Sequence, residues 1–387
     1  MANTTLILDL GNSSTKAIVV YEGAKRVEKV LELPNAFALL PSGYHLSRDY
    51  TEDTSSILYI NTKVDLGNDI ASELNGYYCN GDLQVRERPD SIIKPSARVN
   101  KWLLQSTPLS LHLVFLRAIK SIMTEVGVTD PKELNLVWKV VTLLPPGDYL
   151  NGKEAYASLI KSVTKVVGFL PKLQADINIE VVKVFPEGFG SYVSVVYADS
   201  TTLREGFEYL ATSSVLIVDI GGGTTDIIVI KDNKVIQDSK FTIGLGGNNV
   251  RQLVYNNLLS DGLLLDDNTL NEGILQGYVM DGAKKKDITK LVAYARSEVS
   301  NKIVSAFNAY LEGTAIKMRS IGYVLFCGGG SIKTQGRVSM VDNIAANIKA
   351  LAPNCEIVTP PKMVVGGQSM NTAMMNVVGA YILSGLL

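Results

Sequence analysis

Two acids, Asp9 and Asp219, occupy matching points in two near-copies of one motif. The first copy runs Thr5-Leu-Ile-Leu-Asp9-Leu-Gly11-Asn12-Ser13-Ser14-Thr15-Lys16-Ala-Ile-Val-Val20, and the second Val215-Leu-Ile-Val-Asp219-Ile-Gly221-Gly222-Gly223-Thr224-Thr225-Asp226-Ile-Ile-Val-Ile230. Asp9 falls on Asp219, Gly11 on Gly221 and Thr15 on Thr225 without a gap. These residue types suit the gripping of a phosphate together with a hydrated divalent cation. Glycine admits close ligand approach and dihedrals closed to other residues, and successive turn amides can converge on an anion. Hydroxyls of Ser13, Ser14, Thr15, Thr224 and Thr225 add donors, and Lys16 can neutralise phosphate charge. The two carboxylates repel phosphate but can hold Mg2+ through water, since that ion keeps several waters and bridges to phosphates.

One Asp-x-Gly alone reads as an ordinary tight turn, because short motifs match by chance. The second aligned copy reverses that reading. A structural duplication preserves apolar strands without requiring an acid, a glycine and hydroxyls at the same places twice.

Other residues carry two readings each. Glu187, in Val184-Phe-Pro186-Glu187-Gly188, is a functional acid at the end of a strand-like run or an exposed turn acid. Asp226 is a second polar group at the phosphate or a turn residue. Gly246 and Gly247 approach a nucleotide or cap the following helix, with Asn248 or Asn249 as the capping side chain. Gly328, Gly329, Gly330 and Ser331 form a third strand-glycine site. Lys284 to Lys286 reads as a solvated loop.

The elements that must position these groups alternate between strand and helix. Helices are expected over 109–126, 153–167 and 288–311. The last carries Leu291, Val292, Ala295, Val299, Ile303, Phe307 and Tyr310 as an apolar stripe. Strands are expected at both hairpins, at 134–142, at 177–185 and before Gly328. This alternation predicts an α/β protein with mainly parallel sheets covered by helices. At 387 residues the chain exceeds one ordinary core, so two domains are expected. Domain I covers 1–211, with an inserted subdomain over about 34–108, completed by 371–387. Domain II covers 212–370, with an inserted subdomain over about 260–310. The apolar run 377–387 reads as a core helix.

Composition narrows the function. A net charge of −1 argues against a broad nucleic-acid surface. Three cysteines without metal-ligand spacing suit reduced thiols and a cytoplasmic setting. His45 and His112 are the two histidines, too few for a histidine metal cluster. No apolar run is long enough to span a bilayer, so no membrane association is expected.

Taken in order, Asp9-Leu-Gly11, Asp219-Ile-Gly221-Gly222-Gly223-Thr224, Gly246-Gly247 and Gly328-Gly329-Gly330 resemble the actin, heat-shock-chaperone and sugar-kinase ATPase superfamily. The resemblance covers nearly the whole chain and is strongest to the bacterial actin-like plasmid-segregation proteins, the ParM-like group. It implies an actin-like fold of two similar α/β domains with a nucleotide cleft between them. The first two motifs would be phosphate loops and Gly328 to Ser331 the adenosine loop. Thr142 to Pro146 and Asn371 to Leu383 would be connecting segments. Asp9 and Asp219 would orient Mg2+ through water, and Glu187 would position the water that attacks. ATP is the implied nucleotide, with GTP open because a glycine loop discriminates bases little. The implied function is polymerisation into filaments that move plasmid DNA through a separate DNA-bound adaptor. A small-molecule kinase and a cell-division scaffold of the same superfamily stand as alternatives.

Overall fold

A computed structural model describes residues 2–41, 57–65, 71–81, 93, 100–168, 173–332 and 339–386. Parts of the stretch 34–108, His45 included, lie outside the described residues. The chain divides into two compact units. The first comprises Met1–Pro186, Met363–Met370 and Asn376–Leu387, and the second Glu187–Lys362 and Asn371–Met375.

The first unit opens with β1 (Ala2–Leu10), β2 (Ser14–Glu22) and β3 (Arg26–Pro34). It continues through β4 (Phe37–Leu39), β5 (Ile57–Asp65), β6 (Ala71–Asn80) and helix α1 (Ser106–Val126). Then come β7 (Leu136–Leu144), α2 (Pro146–Lys161), β8 (Lys165–Gly168), β9 (Gln174–Asp176) and β10 (Ile179–Pro186). The central sheet has the order β10-β7-β1-β2-β3. β1, β7 and β10 run parallel, while β1, β2 and β3 form an antiparallel meander. β1 is buried on both faces from Thr4 onward, which is why it reads as a continuous apolar run and not as an alternating one. α1 covers one face and ends at Gly127, whose φ of 82° suits a left-handed cap. Phe115 of α1 meets Trp138 of β7 edge-on, with ring centroids 5.1 Å apart.

A second sheet, β4-β6-β5-β8-β9, lies in the same unit. Here the structure corrects the sequence reading. The expected helix 153–167 is instead α2 over Pro146–Lys161 followed by strand β8. Pro146 presets the first helical turn, so the helix starts at the proline pair. Val166 and Val167 are β-branched and pair with β9. Among the described residues, the inserted stretch 34–108 therefore supplies three strands of a sheet that 165–176 completes.

The second unit begins with α3 (Phe189–Val196), β11 (Ser214–Ile220), β12 (Thr225–Lys231), β13 (Lys234–Val235) and β14 (Phe241–Ile243). It continues with α4 (Gly247–Ser260), α5 (Asp267–Gln276), β15 (Tyr278–Asp281), β16 (Lys284–Asp287) and α6 (Thr289–Glu312). β17 (Tyr323–Cys327), α7 (Met340–Leu351) and β18 (Glu356–Val358) follow. Its sheet order, read from the opposite edge as β18-β17-β11-β12-β13, repeats that of the first unit strand for strand, with β14 also pairing β12. Val292, Ala295, Val299, Ile303 and Phe307 of α6 are buried in the same core as Leu216 and Val218 of β11, as the stripe predicts. Leu291 and Tyr310 pack against that core partly buried.

Two further differences from the sequence reading have local causes. The sequence reading ended domain I at 211, whereas the second unit starts at Glu187. Gly188 has φ 77°, and a Cβ there would come within 3.2 Å of Ile228 and 3.5 Å of Ile217, so this turn packs on the second sheet. Lys284 to Lys286 lie in strand β16 and not in a loop. Lys286 Nζ lies 2.7 Å from Asp261 Oδ2, and Lys285 Nζ lies 4.2 Å from the Tyr278 ring centroid.

The chain returns to the first unit through β19 (Met363–Val365), β20 (Gln368–Met370) and most of α8 (Met375–Leu383). Val377, Val378, Ala380, Tyr381 and Ile382 are buried, so the apolar tail is a core helix. Among the described residues, no helix is long and apolar enough to cross a membrane. Glu28 of β3 ties the return in place. It accepts from Tyr381 Oη at 3.0 Å and from the Gly366 amide at 2.6 Å. Burial, reinforced by Glu28, pushes the Tyr381 phenol from 10.0 up to about 12. The folded pKa is raised, so this contribution is complete below pH 10 and is lost as pH climbs from 10 through about 12. Tyr381→Phe should therefore lower stability below pH 10 and flatten the loss above it, read as urea midpoints across alkaline pH.

Candidate functional site

Each unit carries one hairpin of the repeated motif, and the two are built alike. In the first, Asp9 pairs with Lys16 and Leu10 with Thr15. In the second, Asp219 pairs with Asp226 and Ile220 with Thr225. The Gly11 amide donates to Ser14 O at 3.1 Å, and the Gly221 amide to Thr224 O at 2.8 Å, closing the same turn twice. Asp9 and Asp219 stand at the strand end before each turn and are 6% exposed alike.

The carbonyls of both turns face inward. Gly11 O accepts from Asn35 Nδ2 at 2.7 Å, and Ser13 O from the Asn35 amide at 3.0 Å. Gly221 O accepts from the Gly247 amide at 3.0 Å, and Gly222 O from the Asn248 amide at 2.7 Å. In a planar trans peptide the N–H of the next residue points opposite to the C=O. Inward carbonyls therefore aim the amides of Asn12, Gly222 and Gly223 away from their braces. Among the described residues, the amides of Asn12, Ser13, Gly222 and Gly223 donate to no carbonyl or side chain. A run of such amides forms a nest for an anion.

The second hairpin is surrounded by further chemistry. Asp226 is buried beside Asp219, and its Oδ1 accepts from Thr242 Oγ1 at 2.6 Å. Two buried acids on neighbouring register positions favour a nearby cation, because adjacent like charges in low dielectric raise each other's energy. Cys327 is fully buried. Burial, and then the adjacent Asp219 carboxylate, pushes its thiol well above the ordinary value and keeps it neutral. Gly328 has φ 82°, and a Cβ there would lie 2.3 Å from Asp219 Oδ1 and 2.5 Å from Ile220 O. The Gly328 amide donates to Thr372 O at 3.1 Å, and Ser331 Oγ lies 2.7 Å from Gly328 O and 2.8 Å from Thr372 Oγ1. Gly329 has open space where a Cβ would sit, whereas Gly330 would strike Ile220. Glu187 is buried in the same unit, which removes the exposed-turn reading of that acid.

The sequence-derived residues thus fall into two groups. Asp9, Gly11, Asn12, Ser13, Ser14, Thr15 and Lys16 belong to the first unit, and Glu187, Asp219, Gly221 to Thr225, Gly246, Gly247 and Gly328 to Ser331 to the second. Thr15 and Thr225 are buried at the starts of their hairpins' return runs. Thr225 Oγ1 donates to Leu245 O at 2.8 Å, so that hydroxyl braces the following loop. Ser14 Oγ donates to Glu32 at 3.1 Å. Gly246 and Gly247 start α4, and Asn249 Oδ1 accepts from the Gly246 amide at 2.9 Å, which makes Asn249 the capping side chain. The first amides of that helix hold the carbonyls of the second turn. Sequence reasoning missed Thr242, Asn35 and Thr372, because each reaches its partner across the fold with no motif around it.

The residues present fit a Mg-nucleotide. Each hairpin offers free turn amides to an anion beside a buried acid able to order a hydrated cation.

Residues 217–339 match the family described as archaeal actin homologue MreB-like, C-terminal. No curated protein sequence matches the chain. Solved structures similar over nearly the whole chain include ParM from a 15-stranded Clostridium botulinum filament, at 19% identity and TM-score 0.62, covering 98% of both chains. The archaeal actin homologue Ta0583 in complex with ADP is similar at 17% identity and TM-score 0.62, again with 98% of both chains covered. Bacillus thuringiensis ParM with ATP is similar at 14% identity and TM-score 0.60, covering 99% of this chain and 98% of that one. The fold is actin-like.

Gly328→Ala should destabilise the protein by at least ~2 kcal/mol, from the left-handed backbone and the collision with Asp219 together. A control Gly329→Ala, where space is open, should stay near wild type in the same urea titration.

Proposed function

We propose that this chain, an actin-like fold throughout, is an ATPase that assembles with Mg-ATP into filaments. The observation that carries the reading is the paired hairpin, with the same turn bond, the same inward carbonyls and a buried acid at the same strand end in both units. The nucleotide-bound and filament forms of the similar ParM proteins support it.

Asn12, Ser13, Gly222 and Gly223 would present amides to phosphate oxygens, and Lys16 would add positive charge. Asp9 and Asp219 would hold the hydration shell of Mg2+, whose chemistry is to neutralise charge that builds on the phosphates. Glu187 would accept a hydrogen bond from the attacking water and orient it. Gly328 to Ser331 would lie against the base, where the open space at Gly329 permits close approach. GTP serves as the comparison nucleotide, since no base-reading side chain is assigned. Assembly follows if the ATP form favours self-association, and hydrolysis then shifts the population back. Plasmid DNA segregation through a DNA-bound adaptor is the finer reading, carried by resemblance to the ParM-like group.

Light scattering and phosphate release, followed together on purified protein with Mg-ATP and no acceptor, test this directly. The expected result is scattering above a critical protein concentration, with phosphate release lagging behind. Absence of scattering, with phosphate transfer only after a sugar or acid mixture is added, would replace the filament by a small-molecule kinase. Glu187→Gln should slow phosphate release by about a hundredfold or more while nucleotide affinity holds. Asp219→Ala should weaken Mg-nucleotide binding, measured by isothermal titration, and a wild-type profile there would remove the site.

A further inference from the structure

The two turns achieve one geometry by different means. In the second, the carbonyl of Gly221 is held by a backbone amide, that of Gly247 at the start of α4. In the first, the matching carbonyl of Gly11 is held by a side chain, Asn35 Nδ2. The same residue's amide holds Ser13 O. Asn35 is 4% exposed, and its remaining side-chain oxygen accepts from Ser110 Oγ of α1 at 2.6 Å. Its own position is fixed by Asn80 of β6, whose Nδ2 donates to Pro34 O at 2.6 Å and Ala36 O at 2.9 Å, one carbonyl on each side. Asn35 therefore joins three things: the first turn, helix α1 and the last residue of a β6 strand in the second sheet of the unit.

We propose that Asn35 is a positioning residue for the first phosphate turn, aiming the Asn12 amide by holding the Gly11 carbonyl. The proposal rests on the nucleotide reading above. Its physical basis is the planar peptide: with the Gly11 carbonyl fixed inward, the Asn12 amide points outward before any ligand arrives. Loss of the Nδ2 donor leaves the Gly11 carbonyl without that partner and lets the peptide unit rotate. Glycine at position 11 makes that rotation easy, because few of its dihedrals are sterically barred. The turn then has to be ordered by the ligand, and affinity falls accordingly.

Asn35→Leu, close in shape and uncharged, removes the Nδ2 bond to Gly11. It also removes the oxygen that accepts from Ser110, a loss that Ser110→Ala reproduces by itself. Binding of an N-methylanthraniloyl-ATP probe with Mg2+ is measured on the full chain, wild type and variant. Hydrogen exchange of the 9–16 segment is followed without nucleotide, and the melting temperature of each protein is recorded. Expected are an affinity about tenfold weaker and faster exchange confined to that segment. Ser110→Ala, which leaves Asn35 in place, should shift both in the same direction by less, and serves if Asn35→Leu folds poorly. A purely structural role would lower the melting temperature while leaving probe affinity and local exchange as in wild type, and that result overturns the proposal. Failure of the wild type to bind the probe removes the nucleotide reading and this inference with it. Normal wild-type binding with an unchanged variant removes this inference alone.

Discussion

The orientation of a few peptide units in two short turns governs the rest of this molecule's design. An anion site made of backbone amides needs carbonyls turned the other way, and a buried carbonyl needs a donor. The Gly11 and Ser13 carbonyls find theirs in Asn35, and the Gly221 and Gly222 carbonyls in the first amides of α4. Each hairpin therefore depends on an element that is distant in sequence and close in space. Helix α4 does not aim those amides at a ligand. It directs them at the turn, which then presents its own.

The shared sheet order of the two units explains why the turns correspond. β1, β2 and β7 stand in the same relation as β11, β12 and β17, so each acid ends the strand that is antiparallel to one neighbour and parallel to the other. Within that common frame the charges diverge. Asp9 faces Lys16, while Asp219 faces Asp226. The first hairpin carries its own counter-charge, and the second sets two acids opposite each other. The crowding of Gly328 against Asp219 makes the third glycine site a wall of the second hairpin, so the acid and that loop are packed as one piece.

The C-terminal return follows the same economy of contacts. Glu28 gathers Tyr381 and the Gly366 amide on β3, using one carboxylate to fix both a helix and a hairpin. The intervening residues 371–375 belong with the second unit, where Thr372 holds Gly328 and Ser331.

Much of this was legible from residue order. The hairpins, the stripe of α6, the strand before Gly328 and the terminal core helix all declare themselves through local periodicity and turn chemistry. These are properties of neighbours in the chain, and sequence records neighbours. The strand at Lys165–Gly168 and the second sheet it completes did not declare themselves, because Val166 and Val167 fit a helix pattern until β5 and β9 pair with that strand. The move of Glu187 into the second unit was decided by Gly188 packing on Ile217 and Ile228. The braces Asn35, Asn80 and Thr242 are ordinary polar residues in sequence, and their roles arise where distant segments meet. The sequence by itself determined where the two matching hairpins and their acids lie. Tertiary structure decided which way their peptide units face, because that orientation is set by hydrogen-bond partners folding brings in from elsewhere in the chain.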